Sequence, residues 1–117
     1  MIVSHHDTRV HKFKTSVKNK TLAPVYNEAF SCQISEDMSV EKIAILCFVI
    51  HHDVAKRNEV IGVVNIGRKV NSKLGREHWE SVLQSPRKEV SFWHPIQLAT
   101  AAEKKYRRGR SPSPAVL

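Results

Sequence analysis

An all-β antiparallel sandwich with one short inserted helix is the fold this sequence predicts, and three observations predict it. Arg9 to Lys18 alternates basic and less polar residues at period two. Glu41 to Ile50 is apolar on both faces, and from Gly75 to Ser85 the period lengthens to that of a helix. Short strands punctuated by turn signals, with a single helix among them, suit a sandwich.

Met1 to Ser4 reads as the end of a strand, and His5-His6-Asp7-Thr8 as a polar hairpin turn. In the strand Arg9 to Lys18, alternation places Lys12, Lys14, Ser16 and Lys18 on one face and His11, Phe13, Thr15 and Val17 on the other. Same-face neighbours lie about 6.5 Å apart, so one side is a row of ammonium groups and the other can cover a core. Thr21 to Pro24 makes a turn, because Pro24 fixes its own dihedral and biases Ala23 to an extended one. A strand over Asn27 to Ile34 and a polar loop over Ser35 to Ser39 follow.

The two-faced apolar run Glu41 to Ile50 is the mark of a strand buried inside a sheet, and it is expected at the centre of the core. His51 to Asn58 is a polar loop, and Glu59 to Ile66 a further strand ending at Gly67. Leu74, His78 and Val82 align at steps of four, as do Trp79 and Leu83, which predicts a short amphipathic helix stopped by Pro86. A last strand is expected over Glu89 to Ile96, with Phe92 and Trp93 in the core. Beyond Leu98 a possible helix through Arg108 gives way to Gly-Arg-Ser-Pro-Ser-Pro, which is disordered by composition.

The chain has 117 residues, 41% of them hydrophobic, enough for one domain and one modest core. Nineteen Lys and Arg against 11 Asp and Glu leave a formal charge of +8. The resulting pI near 9.8 favours anionic partners: phospholipid head groups, acidic protein surfaces or nucleic acid. Cys32 and Cys47 are isolated in apolar runs without metal-ligand spacing, which suits reduced thiols better than a disulfide framework. The N-terminus does not resemble a signal peptide. The longest apolar run, Ile43 to Ile50, is far short of the roughly 20 residues that span a bilayer, so any membrane contact is expected to be peripheral. With only four glycines, no phosphate-cradling loop, no nucleophile elbow and no metal-spaced His pair, the sequence supports no catalysis.

Four phrases carry a resemblance. Lys18 to Phe30 reads Lys-Asn-Lys-Thr-Leu-Ala-Pro-Val-Tyr-Asn-Glu-Ala-Phe; Asn58 to Gly62 reads Asn-Glu-Val-Ile-Gly; His78-Trp79 and Trp93-His94-Pro95-Ile96 follow. In order and spacing they resemble the second, membrane-distal C2 domain of the synaptotagmin family. The resemblance covers about residues 1 to 98 and leaves 99–117 as a basic, Ser/Pro-containing tail. It implies a C2-type Greek-key sandwich of eight strands, of which the first two, with the first top loop, would lie upstream of Met1. A sandwich lacking two strands would expose edges and apolar faces, so marginal stability and self-association are expected.

The resemblance also assigns sites. The family binds calcium with aspartates in the loop after the buried strand; the matching positions here are His51, Asp53 and Glu59. Calcium takes six to eight oxygen ligands and imidazole nitrogen is a poor substitute, so calcium binding is expected to be lost and no cofactor is implied. His51, His52 and Asp53 could gather zinc only in a tightly curled loop, and a polar loop is the simpler reading for them and for His5 and His6. The family's basic strand binds phosphoinositides, phosphatidylserine, SNARE proteins and clathrin adaptors; Lys12, Lys14, Lys18 and Lys20 match it. Each such charge near an anionic membrane is worth roughly 1 kcal/mol and fades within a Debye length of about 8 Å. His11 and Phe13 stand where the family often has further lysines.

Arg87 and Lys88 match a basic pair at the opposite end of the family's domain, although a basic pair in a loop is more often plain soluble surface. Trp93, His94, Pro95 and Ile96 match the family's docking motif, with Ile96 in place of the usual Leu; a core role is expected of Trp93 in preference to a binding one. In the tail, Lys104, Lys105, Arg107, Arg108 and Arg110 could add a second electrostatic anchor. Ser111 and Ser113 could be phosphorylated to weaken it, and the terminal Ala-Val-Leu could enter a PDZ groove. The expected function is therefore a calcium-independent module that attaches to anionic membranes and trafficking proteins during vesicle docking or exocytosis. It would sit peripherally on the cytoplasmic face of a vesicle or the plasma membrane, and could assemble with itself or with other synaptotagmins. The rival is a protein-protein adaptor acting through the basic strand and tail without lipid. Nucleic-acid binding is not expected, because the lysines lack an aromatic platform beside them.

Overall fold

The computed structural model describes residues 1–5, 8–18, 23–52 and 59–107. Its centre is a four-stranded antiparallel sheet built from β1 (Ile2–His5), β2 (Thr8–Lys12), β3 (Ile43–His51) and β4 (Glu59–Gly67), in the order β2-β1-β3-β4. Two helices accompany it, α1 (Lys73–Gln84) and α2 (Ala101–Arg107). The apolar run around β3 does become an inner strand, hydrogen-bonded to β1 on one side and along its length to β4 on the other. Of its residues only Ile43 is fully buried, and the others are half-buried or, at Ile50 and His51, exposed.

Register decides which side chains share a face. Ile2 and Ser4 of β1 stand opposite Leu46 and Ala44 of β3, which in turn stand opposite Asn65 and Gly67 of β4. On the other face Val3 meets Ile45, and Ile45 meets Ile66. A bulge interrupts the β1–β2 ladder: Val3 pairs with His11 and Ser4 with Arg9, so Val10 is the extra residue. Without the bulge Arg9 would share a face with His11. With it, Arg9 sits on the same face as Lys12, whose partner is Ile2.

The Val3 face carries the hydrophobic core. Val3, Ile43 and Trp79 are buried there, with Met1, Phe13, Cys32, Ile45, Ile66 and Leu83 packed around them. Trp79 comes from α1, and its indole N–H donates to the Val40 carbonyl at 3.2 Å. Helix α1 starts where Ser72 caps it, its hydroxyl accepting from the Gly75 amide at 3.2 Å, and stops one residue before the Ser85-Pro86 turn. Gly75 permits the approach: a Cβ there would collide with the Asn65 carbonyl of β4. Arg68 ties the layers at the rim, reaching Glu80 of α1 at 2.7 Å and Glu41 at 2.9 Å.

The opposite face is covered differently. Helix α2 opens with a reciprocal capping box, in which the Thr100 amide donates to Glu103 at 2.8 Å and the Glu103 amide to the Thr100 hydroxyl at 3.1 Å. The second Glu103 oxygen accepts from the Asn65 amide of β4 at 2.7 Å. At the other end of the helix, Arg9 of β2 donates to the Arg107 carbonyl at 3.4 Å. The helix is therefore pinned to β4 near its start and to β2 at its end.

Three strand expectations are corrected. The strand from Arg9 ends at Lys12; after it, among the described residues, only the mutual Met1–Phe13 backbone bonds extend the ladder (2.8 and 2.9 Å). Residues 27–34 form no strand and are mostly exposed. Residues 89–96 form none either; the segment touches the sheet only through an isolated bridge between Gln97 and Val63, and Trp93 is 97% exposed. Its expected core role is thus overturned. His6 and Asp7 of the hairpin turn, Lys20, Thr21, Asp53 to Asn58, and the tail beyond Arg107 lie outside the described residues.

Candidate functional site

Lys12 closes β2, the outer strand of the sheet, and is exposed; Lys14 follows it, also exposed, in non-strand backbone. The expected straight row of lysines along one strand face is therefore cut after its first member. Lys18 is exposed further along the same non-strand stretch, near Glu28, whose carboxylate accepts from the Ser16 hydroxyl at 2.8 Å and from its amide. Those bonds, the hydroxyl first, and then the charge of Lys18 hold Glu28 below the usual carboxylate range. Lys18 is thus partly offset by an anion, whereas the charges acting on Lys12 among the described residues are cations. The Lys12 ammonium is pushed below its ordinary pKa, first by desolvation and then by the positive charges of Lys14, Arg9 and Arg107.

Arg9 is the residue sequence reasoning missed. It is 3% exposed, its Nε has no partner, and no ion pair joins it to a carboxylate among the described residues. Its burial follows from the bulge at Val10 and from α2 lying over it. The Thr-x-x-Glu spacing at Thr100 and Glu103 was the available signal that α2 would form.

The basic pair Arg87-Lys88 lies in the turn after α1, with Arg87 in the left-handed region at φ 64° and both side chains exposed. It follows α1 in the chain whereas β2 precedes it, and among the described residues no ion pair joins it to the Lys12 group.

In the Trp93 segment the side chains divide. Phe92 and His94 turn inward onto His78 of α1: the Phe92 ring stacks on His78 at 4.6 Å, and His78 Nδ1 lies 2.8 Å from His94 Nε2. Burial first, and then His78, keep the His94 pKa below its ordinary value. Trp93 and Leu98, 97% and 88% exposed, point outward, whereas Ile96, 56% exposed, lays its Cγ2 against Gly62 of β4. The motif therefore presents apolar side chains on a loop held by a histidine pair.

His51 and Glu59, two of the positions matched to the calcium loop, face each other as the last rung between β3 and β4, both exposed. The third, Asp53, lies outside the described residues. Among the described residues no group of three or more His, Cys, Asp or Glu side chains converges as a metal site. Cys32 and Cys47 are half-buried free thiols, and burial raises the Cys47 pKa. No described helix is long and apolar enough to cross a membrane.

Comparison with known proteins agrees with this geometry. The profile of the family described as "C2 domain" matches residues 1–82. Synaptotagmin-3 of Mus musculus is 42% identical over 88 residues, 75% of this chain and 15% of the relative. Synaptotagmin-9 of Rattus norvegicus is 41% identical over 88 residues, 75% of this chain and 18% of the relative. Synaptotagmin-C of Diplobatis ommata is 39% identical over 90 residues, 77% of this chain and 16% of the relative. The chain thus spans less than a fifth of the length of these curated relatives. By its sheet, its profile match and its similarity to these proteins, the chain belongs to the C2-domain family and is synaptotagmin-like.

Proposed function

We propose that this C2 domain is a non-enzymatic, calcium-independent module that attaches to anionic phospholipid surfaces and to trafficking proteins in vesicle docking or exocytosis. The observation that carries the reading is Lys12 with Lys14: both are exposed at the sheet edge, and among the described residues the charges acting on Lys12 are those of Lys14, Arg9 and Arg107. Such a cluster is stabilised by an external anion, and phosphatidylserine and phosphoinositide head groups supply one in high density. Calcium independence rests on His51, an imidazole where the family uses a carboxylate, standing opposite Glu59. On this reading Lys12, Lys14, Lys18 and Lys20 face the membrane and Arg87-Lys88 offers a second contact. The domain works peripherally at the cytoplasmic face, alone or in oligomers with other synaptotagmins, and residues 99–117 follow it as a basic extension.

Co-sedimentation with vesicles containing phosphatidylserine and phosphatidylinositol bisphosphate tests it. Equal binding in chelator and in calcium, lost at high salt, is the expected result; binding that appears only with calcium would overturn the calcium-independent reading.

The exposure of Trp93, Ile96 and Leu98 favours a second reading, an adaptor that holds SNARE proteins or a clathrin adaptor without lipid. It is separated from the first by replacing Lys12, Lys14 and Lys18 with Ala. Vesicle binding should then vanish under the first reading, whereas capture of a protein partner in detergent would survive under the second.

A further inference from the structure

Helix α1 runs out into a tight turn of sequence Ser85-Pro86-Arg87-Lys88. The Lys88 amide donates to the Ser85 carbonyl at 3.2 Å, Pro86 fixes the first corner and Arg87 takes the second at φ 64°, the pattern of a type II turn. That second corner favours glycine, so an L side chain there strains the backbone, and opening the turn to an extended form relieves the strain. Ser85 is half-buried at the helix end, where its amide donates to the Val82 carbonyl at 3.2 Å. Its hydroxyl makes no hydrogen bond to a described residue and is not a buried polar atom. Pro86, Arg87, Lys88 and Glu89 are all exposed.

We propose that Ser85 is a phosphorylation site for a proline-directed protein kinase that selects a cation three residues after the serine, and that the phosphate switches off the anionic contact offered by Arg87-Lys88. The switch rests on that second contact as read above; the site itself does not. Pro86 supplies a next residue without an amide hydrogen, and Lys88 supplies the charge that an acidic kinase groove selects. The chain has two other Ser-Pro pairs, Ser111-Pro112 and Ser113-Pro114, but the third residues after their serines are Pro114 and Val116. Ser85 alone among the three carries the whole pattern. In the transfer the Ser85 Oγ attacks the γ-phosphorus of ATP: the Oγ–P bond forms, the bond from that phosphorus to the β–γ bridging oxygen breaks, and ADP leaves. The hydroxyl proton passes to the kinase's catalytic aspartate. The product adds a charge of about −2 to a turn that carries Arg87, Lys88 and the opposing Glu89. The turn's net charge changes sign, and its attraction for phospholipid head groups becomes repulsion. No ion pair engages Arg87 or Lys88 among the described residues, so both are open to the phosphate. Their cations offset the cost of an anion at the negative end of α1.

The test treats the full chain with ATP and a recombinant cyclin-dependent kinase and maps the phosphate by tandem mass spectrometry. Phosphate is expected on Ser85 ahead of Ser111 and Ser113, and Lys88→Ala should lose most of it while Lys88→Arg keeps it. No phosphate on Ser85 of the wild type would overturn the site, and unchanged modification of Lys88→Ala would remove its basis. The switch is read on vesicles containing phosphatidylserine and phosphatidylinositol bisphosphate: light scattering reports clustering, which needs two anionic surfaces held at once, and co-sedimentation reports attachment. Phosphorylation should lower clustering to the level of the Arg87→Gln/Lys88→Gln variant, with a much smaller loss of co-sedimentation. Ser85→Ala treated in the same way should cluster vesicles like the untreated wild type; an equal fall there would assign the effect to the tail serines and overturn the switch. Clustering that survives Ser85 phosphorylation but is lost in Arg87→Gln/Lys88→Gln overturns the switch and leaves the second contact standing. If Arg87→Gln/Lys88→Gln itself clusters vesicles like the wild type, the second-contact reading fails and the switch falls with it.

Discussion

The two faces of the sheet are held by different forces. On the Val3 face, apolar side chains and one indole close a core against α1, an arrangement that tolerates salt and pH. On the Arg9 face, α2 is pinned by an amide–carboxylate bond at Asn65 and by a guanidinium–carbonyl bond at Arg9. One face supplies the stability, and the other collects charge close to the surface proposed to bind anions. Ile2 and Val63 are buried, so the second face is not bare of apolar contact. Its helix nonetheless rests on a few directed polar contacts.

The largest test of this contrast is Trp79→Ala, which removes the buried indole and its bond to Val40. A loss of about 3–5 kcal/mol is expected, enough to unfold much of a domain whose total stability is typically about 5–15 kcal/mol. Denaturant titration measures it. Gly75→Val should come next, at about 1–3 kcal/mol, because the new side chain forces α1 away from the Asn65 carbonyl. Thr100→Ala removes the α2 capping box and should cost about 1 kcal/mol of helix stability. It should raise hydrogen exchange in α2 while leaving α1 protected. Trp93→Ala, at a side chain open to solvent, should shift stability by no more than about 0.5 kcal/mol; a large loss would restore Trp93 to the core.

The smallest effect is one of pH. The folded His94 pKa lies below its unfolded value of about 6.5, so its contribution to stability is fully present above that value. As pH falls through the interval down to the folded pKa, the unfolded chain takes the proton first and that contribution is lost. Thermal melts between neutral pH and about pH 5 should show the decline, and His94→Gln should flatten it. Glu28 and Asp37 are both held below their ordinary values, by the Ser16 and Ser35 hydrogen bonds respectively, and act in a more acidic window.

What was legible in the sequence was what local pattern decides. β3 and β4 followed from two adjacent apolar runs, and α1 followed from the Leu74, His78, Val82 spacing and the Pro86 stop. Residues 27–34 and 89–96 have comparable composition, yet each would need a neighbouring strand to satisfy its backbone and has no ladder there. Alternation also misplaced the charge: strict period two groups Arg9 with His11, and one extra residue at Val10 moves it beside Lys12. The basic strand was visible as charge in the sequence, but its shortening at Lys12 and its junction with α2 depended on register and on contacts between residues 98 positions apart.

The most direct measurement of the central claim compares the wild type with Lys12→Ala/Lys14→Ala across a salt series on vesicles containing phosphatidylserine and phosphatidylinositol bisphosphate, in chelator. The account predicts that the wild type binds at physiological salt with a steep salt dependence and that the variant, equally folded by circular dichroism, loses most of its binding. Undiminished binding by the variant would contradict the assignment of anion binding to this edge of the sheet.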